Sequence, residues 1–232
     1  MESYIKQGDC FALMKELDNA SIDAIIVDPP YRINQASWDK NFDYQAAITE
    51  CKRLLKENGN FIIFQGWSNV AMTIDIAKNC GFILQDWIIY DRIKGRGAKR
   101  HLISTREDIL WFTKSKEYTF NKIPSNIIKK TGGFGLKNNC KYRALSNVWT
   151  DISPIVPWSK EKTPHPTQKP ITLLERCVSI WTNPGDIVLD YCMGSGTTCL
   201  AAKNLGRKYI GFELNEKYFE IAKMRIADVA DK

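Results

Sequence analysis

The chain has 232 residues, 44% of them hydrophobic, and a formal net charge of +7. That length suits one domain with a substantial insertion, buries a sizeable core and contains no apolar run long enough to span a bilayer. Seven scattered cysteines without a C-x-x-C pair and only two histidines argue against a disulfide framework or a metal site, and the polar start Met1-Glu2-Ser3-Tyr4 argues against export, so a reduced, cytoplasmic protein without a metal is expected.

In chain order, Ile22-Asp23-Ala24-Ile25-Ile26-Val27-Asp28 is the first apolar run and predicts a buried strand, closed by Asp28-Pro29-Pro30-Tyr31. Behind an Asp43 cap, Tyr44, Ala47, Ile48, Cys51, Leu54 and Leu55 trace one helical face. Further strands are predicted at Asn60–Phe64, Trp87–Tyr90 and Asp108–Phe112. Between the last two, Arg92–Arg106 carries five cationic or imidazole groups inside it, Lys94, Arg96, Lys99, Arg100 and His101, and no acid. Residues from about Tyr118 to Thr163 lose all periodicity, and Tyr118–Thr150 again holds no acid beside Lys122, Lys129, Lys130, Lys137, Lys141 and Arg143. A solvated surface normally mixes signs, so both stretches are expected to face a polyanion. A loop system that long inside a compact domain is usually functional.

The alternation then resumes. Asp186–Asp190 predicts a strand, Thr197–Leu205 a helix stopped at Gly206, Tyr209–Glu213 a strand, and Tyr218, Ile221, Ala222, Arg225 and Val229 a helix entered through Asn215. Near-continuous apolar strands alternating with amphipathic helices imply an α/β, doubly wound, mostly parallel sheet, Rossmann-like, with helices on both faces.

Two motifs carry chemistry. Asp28-Pro29-Pro30-Tyr31 leaves a buried strand, where two prolines fix their φ angles and remove two donors. Such a stiff loop turns carbonyl oxygens outward beside a carboxylate and an aromatic ring. The exocyclic amine of a nucleobase attacks poorly because its lone pair is delocalised. Asp28 and a neighbouring carbonyl can each accept one amine N–H and favour the pyramidal geometry, while Tyr31 can stack on the base. Alone, the tetrapeptide is equally a rigid turn. The second motif, Asp190-Tyr191-Cys192-Met193-Gly194-Ser195-Gly196-Thr197-Thr198, links a strand to a helix and brings backbone amides close to a ligand. Glu213 ends the following strand, where an acid can bind both ribose hydroxyls. A dinucleotide-binding oxidoreductase is the competing reading, although Cys199 stands where its third glycine belongs.

Together these motifs resemble the β-class S-adenosylmethionine-dependent DNA amino-methyltransferases (N6-adenine or N4-cytosine) of bacterial restriction–modification systems. The order is that of the class, the catalytic segment preceding the cofactor loop. His165-Pro166-Thr167-Gln168-Lys169-Pro170 with Leu173–Arg176, Gly8-Asp9-Cys10 and Glu107–Lys114 are also similar to it. The resemblance covers most of residues 4–117 and 163–226 and implies a seven-stranded methyltransferase sheet. A catalytic and cofactor-binding domain would span residues 1–117 and 163–232, with an inserted target-recognition region at 118–162.

It further implies that Asp28, Pro29, Pro30 and Tyr31 hold the target amine, with S-adenosylmethionine as cofactor. Asp190, Gly194, Ser195, Gly196 and Thr197 would line the methionine end of the cofactor, with Tyr191 and Cys192 beside them. Glu213 would take the ribose, Asp9 and Cys10 flank the adenine, and Lys169 approach the cofactor carboxylate. Arg96, Lys99, Arg100, Lys137, Lys141 and Arg143 are the candidate contacts to double-stranded DNA. A cognate restriction endonuclease and a second copy of the chain are the other expected partners, with no membrane. This sequence departs from the class where Tyr191 replaces a proline, Cys192 an aromatic residue, and Arg106 a histidine. Aspartate at the head of the catalytic segment favours adenine over cytosine N4. A C5 enzyme would need a Pro-Cys pair, and a protein glutamine methyltransferase Asn-Pro-Pro-Tyr after the cofactor loop. A DNA-binding module with a dead active site stays as the alternative of another class.

Overall fold

The computed structural model describes residues 2–31, 42–96, 100, 102–128 and 142–228. Among the described residues the strands are β1 (Tyr4–Gln7), β2 (Ile22–Val27), β3 (Leu55–Gln65), β4 (Ile83–Arg96), β5 (Ser104–Thr113), β6 (Pro124–Ile128), β7 (Tyr142–Ala144), β8 (Val148–Trp149), β9 (Ile187–Asp190) and β10 (Lys208–Glu213). The α-helices among the described residues are α1 (Cys10–Met14), α2 (Tyr44–Leu54), α3 (Val70–Asn79), α4 (Ile171–Trp181), α5 (Thr197–Asn204) and α6 (Glu216–Ala227). Among the described residues no helix is long and apolar enough to cross a membrane.

The main sheet has the order β1-β10-β9-β2-β3-β5-β4-β8, and β6 pairs only with β7. Its apolar runs are buried on both faces because successive side chains alternate sides. Ile25, Val27, Phe61, Ile63, Leu110 and Phe112 pack into one core with the stripe of α2. Their neighbours Ile26, Ile62, Phe64, Ile109 and Trp111 pack into a second core with α4 and α5. The predicted caps are in place: Asp43 accepts from the Ala46 amide at 3.0 Å and Asn215 from the Tyr218 amide at 3.2 Å.

The sheet is mostly parallel, as expected, and differs in its strand count. It has eight strands among the described residues rather than seven, since Val148–Trp149 adds a short parallel strand beside β4. β5 runs antiparallel to both β3 and β4, a reversal that an apolar run cannot reveal because burial on both faces reads alike in either direction. The ends of the aperiodic segment also belong to the main body. Trp149 and Ile152 are buried in the second core, and the Asn121 side chain caps α4 through the Ser179 and Thr182 carbonyls. Asp151 holds Arg176 of α4 through two bonds of 2.8 and 2.7 Å. These residues anchor singly, through a large ring or one polar pair, so no period announces them.

Sheet order positions the site. β2 lies beside β9 in parallel, with Ile25 opposite Leu189, so the loops after Val27 and Asp190 leave the same edge side by side. β1 and β10 pair Gln7 with Glu213, bringing Gly8, Asp9 and Glu213 to that edge. β5 arrives from the opposite direction, with Asp108 opposite Gln65, and sets Glu107 on the same rim.

Candidate active site

The loops at this edge, together with the segment His165–Lys169, line a cavity of about 330 Å³. It is lined by Asp9, Cys10, Asp28, Pro29, Pro30, Tyr31, Lys169, Asp190, Tyr191, Cys192, Gly194, Ser195, Thr197 and Glu213. Of the residues expected at the catalytic and cofactor sites, Gly196 alone stands outside this lining, where it turns the chain into α5. Gly194 and Gly196 adopt φ of +51° and +76°. A Cβ on Gly194 would stand 2.8 Å from His165 Nε2, and one on Gly196 2.8 Å from the Ala222 Cβ, so the loop requires glycine twice over.

The loop is tied down from three sides. Met193 donates its amide to the Phe212 carbonyl at 2.9 Å, Gly194 to Glu213 Oε2 at 2.9 Å, and Cys192 to Asp190 Oδ1 at 3.1 Å. The guanidinium of Arg225, from α6, reaches the Ser195 carbonyl and hydroxyl and the Thr197 hydroxyl. Burial pushes the Asp190 carboxyl up to about 7 against the Thr198 hydroxyl and Cys192 amide that favour its ionised form. Burial also raises Glu213, opposed by the amides of Asn215 and Gly194. Asp9 spends one oxygen capping α1, accepting from the Ala12 amide at 3.0 Å. Tyr191 is buried and stacks on Phe42 with centroids 6.3 Å apart, so the residue that departs from the class pattern serves the core as well as the cavity wall.

On the other wall, both Asp28 oxygens are engaged: Oδ1 accepts from the Tyr31 hydroxyl and Oδ2 from Lys169 Nζ. Burial, reinforced by Asp28 and Glu107, raises the Tyr31 phenol, so it stays a donor. Tyr44, the first residue of α2, donates its hydroxyl to the Pro30 carbonyl, and Asn69 donates to the Tyr31 carbonyl at 2.7 Å. The loop geometry is therefore held by side chains as well as by its prolines.

Lys169 lines the same cavity. Its ammonium pairs with Asp28 and lies 3.4 Å from Glu107 Oε2, so its charge is committed to two acids on the catalytic wall. His165, to which the sequence assigned no role, lines the cavity, with its ring edge-on to Tyr218 at 4.4 Å. Burial lowers its imidazole to about 4, so it is neutral near pH 7, and its Nδ1 is buried with no hydrogen-bond partner among the described residues. Glu107 and Tyr44 carried no assigned role in the sequence. Their only signals are an acid at the head of an apolar strand and a tyrosine directly after a helix cap.

These residues fit the cofactor that the resemblance implies. Glu213 offers two carboxylate oxygens at a strand end, and the glycine loop exposes backbone at an uncapped helix start. Four acids line the cavity (Asp9, Asp28, Asp190 and Glu213) against the single lysine Lys169, an excess suited to a cationic sulfonium. Of the expected DNA contacts, Arg100 is exposed. Only the backbone of Arg96, in β4, and of Arg143, in β7, is described, while Lys99, Lys137 and Lys141 lie outside the described residues.

Comparison with known proteins agrees with this geometry. Residues 22–224 match the family model of the N6/N4 methylases, described as DNA methylase. The chain is 35% identical over 241 residues to the type II methyltransferase M.HpaI of Haemophilus parainfluenzae, covering 97% of this chain and 74% of that protein. It is 35% identical over 247 residues to the DNA adenine methyltransferase YhdJ of Escherichia coli strain K12, covering 97% and 83%. The solved structure of the M1.HpyAVI–SAM complex superposes with a TM-score of 0.71 at 36% identity, covering 95% of this chain and 98% of that one. An Asp-Pro-Pro-Tyr loop and a glycine loop on neighbouring strands, and a family match across both, lead to one assignment: the chain belongs to the N6/N4 DNA methylases, the DNA amino-methyltransferases.

Proposed function

We propose that this protein transfers a methyl group from S-adenosylmethionine to the N6 amino group of an adenine flipped out of double-stranded DNA. The observation that carries the reading is the meeting of Asp28 and the glycine loop in one cavity, from neighbouring parallel strands. When bound, the cofactor supplies an electrophilic methyl on a sulfonium. Glu213 holds the ribose hydroxyls, Asp9 and Cys10 flank the cofactor adenine, and the Gly194–Thr197 turn holds the methionine end. Asp28 accepts one N–H of the target amine. The Pro30 and Tyr31 carbonyls already serve Tyr44 and Asn69, so Pro29's carbonyl is assigned the other. Two acceptors on one amine favour the pyramidal nitrogen whose lone pair is free to attack. As that nitrogen gains its fourth bond, Asp28 takes the proton it must lose.

Adenine is favoured because aspartate heads the catalytic segment and because the relative YhdJ is a DNA adenine methyltransferase. We assign duplex contact to the inserted region 118–162, through Lys137, Lys141 and Arg143, and to the β4–β5 hairpin bearing Arg96, Lys99 and Arg100. The hairpin suits this role because its pairing continues to Arg96–Ser104, past Gln65 where β3 ends, and it carries the exposed Ile93 and Ile103 beyond the catalytic rim.

The test is transfer of labelled methyl from S-adenosylmethionine to unmethylated genomic DNA, followed by nucleoside mass spectrometry. N6-methyl-2′-deoxyadenosine is expected. Label on N4 of cytosine would move the target base, and no label on any DNA would overturn the reading.

A further inference from the structure

We propose that Lys169 and Glu107 form a positioning pair that holds the Asp28 carboxylate toward the target amine, so that Lys169 serves Asp28 rather than the cofactor. This rests on the reading above that Asp28 accepts the amine hydrogen.

The Lys169 side chain is only 9% exposed, and such a buried cation is stable only when paired. Its Nζ touches Asp28 Oδ2 and lies 3.4 Å from Glu107 Oε2. The rings of Phe64 and Tyr31 flank it at 5.5 and 5.7 Å from their centroids. Burial disfavours the ammonium, but Asp28 and Glu107 outweigh it and raise its pKa, so the cation persists throughout the working pH range. Glu107 Oε2 is buried and has no hydrogen-bond partner among the described residues, so the nearby ammonium is its compensation. Arg92 approaches the other Glu107 oxygen at 3.5 Å.

The arrangement does for Asp28 what one contact cannot. Tyr31 fixes Oδ1 and Lys169 fixes Oδ2, so the plane of the carboxylate is set before a base arrives. A carboxylate offers about four acceptor sites, so the amine can donate to Asp28 with both partners in place. With Arg92 against the other Glu107 oxygen, the two acids and two cations of this cluster balance, so the Asp28 carboxylate stays ionised and able to accept from the amine. Glu107 reaches this position only because β5 runs against its neighbours and brings its first residues to the rim where parallel strands end.

The experiment compares Lys169→Met, Lys169→Arg, Glu107→Gln and Asp28→Ala in the full chain. It reads S-adenosylmethionine affinity by calorimetry, and kcat and KM on a methylatable duplex as a function of pH. Lys169→Met is expected to lower kcat about 100-fold, the scale of a misaligned reacting group, with cofactor Kd within about threefold. The acid limb of its kcat–pH profile should move to higher pH, because a carboxylate that loses an adjacent cation protonates more readily. Lys169→Arg should restore the limb and part of kcat. The isosteric Glu107→Gln should lower kcat about tenfold with unchanged cofactor Kd, and it carries the same comparison should Lys169→Met fail to fold. A fall in cofactor affinity as large as the fall in kcat would make Lys169 a cofactor ligand and overturn the inference. So would wild-type kcat in Lys169→Met beside an inactive Asp28→Ala, with the role of Asp28 left standing. Full activity in Asp28→Ala would remove that role itself, and the positioning pair with it.

Discussion

Replacing Glu213 by alanine tests the cofactor site most directly, because the loop contact this carboxylate makes and the ribose contact proposed for it separate by measurement. Its Oε2 accepts the Gly194 amide at 2.9 Å and its Oε1 the Asn215 amide at 2.8 Å, so it staples the glycine loop. Each oxygen keeps a second acceptor site for a ribose hydroxyl. Hydrogen bonds to a charged group contribute about 1.5–3 kcal/mol each when buried. Glu213 is only partly buried, so the two ribose contacts together are worth about 2–4 kcal/mol. At about 1.4 kcal/mol per tenfold, Glu213→Ala should weaken S-adenosylmethionine binding by about 30- to 700-fold in a calorimetric titration. Loss of the staple should also lower the denaturation midpoint. Glu213→Gln, which keeps one acceptor oxygen, should recover more stability than affinity. Duplex affinity should change little in either variant. A variant with wild-type cofactor Kd and a lowered midpoint would show that Glu213 holds the loop and nothing else.

Three further outcomes follow from the same geometry. Cofactor-free Asp190, raised by burial to about 7, is mostly neutral below that pH, whereas a bound cation favours its ionised form. Cofactor binding should therefore release a proton near pH 6 and strengthen as pH rises to about 7. Binding heats that are the same in buffers of different ionisation enthalpy would refute this. Arg176→Leu removes the bidentate partner of the Asp151 carboxylate and should cost about 1–3 kcal/mol of stability, read from urea denaturation; an unchanged midpoint would mean that the 151 loop does not brace α4. Replacing Lys137, Lys141 and Arg143 together by alanine should flatten the log–log dependence of DNA binding on salt by about two to three units, with cofactor affinity unchanged. A triple variant with the parental slope would shift the search for phosphate contacts to Arg92–Arg106.

What the sequence by itself determined is what short-range physics encodes. Apolar runs marked β2, β3, β5, β9 and β10 to within a few residues. Asp43 and Asn215 marked helix starts, and two prolines and two glycines marked the loops that leave the sheet at Asp28 and Asp190. Residues adjacent in sequence constrain one another through φ, ψ and hydrogen-bond geometry, so their pattern is legible without a fold. The apolar anchors Trp149 and Ile152, and the two-residue strand that Trp149 ends, escaped that reading because each packs alone and no period repeats.

Only the tertiary structure decided which groups meet. Lys169 and Asp28 are 141 positions apart, and nothing local distinguishes a lysine that faces a cofactor carboxylate from one that faces a catalytic aspartate. Glu107 reached the rim because β5 is antiparallel, and Tyr44 reached the Pro30 carbonyl because α2 packs beneath the loop. These contacts depend on strand order and direction, which are settled by how all the apolar faces close together. The composition of the site was therefore written in the motifs, and the wiring of its charges only in the folded sheet.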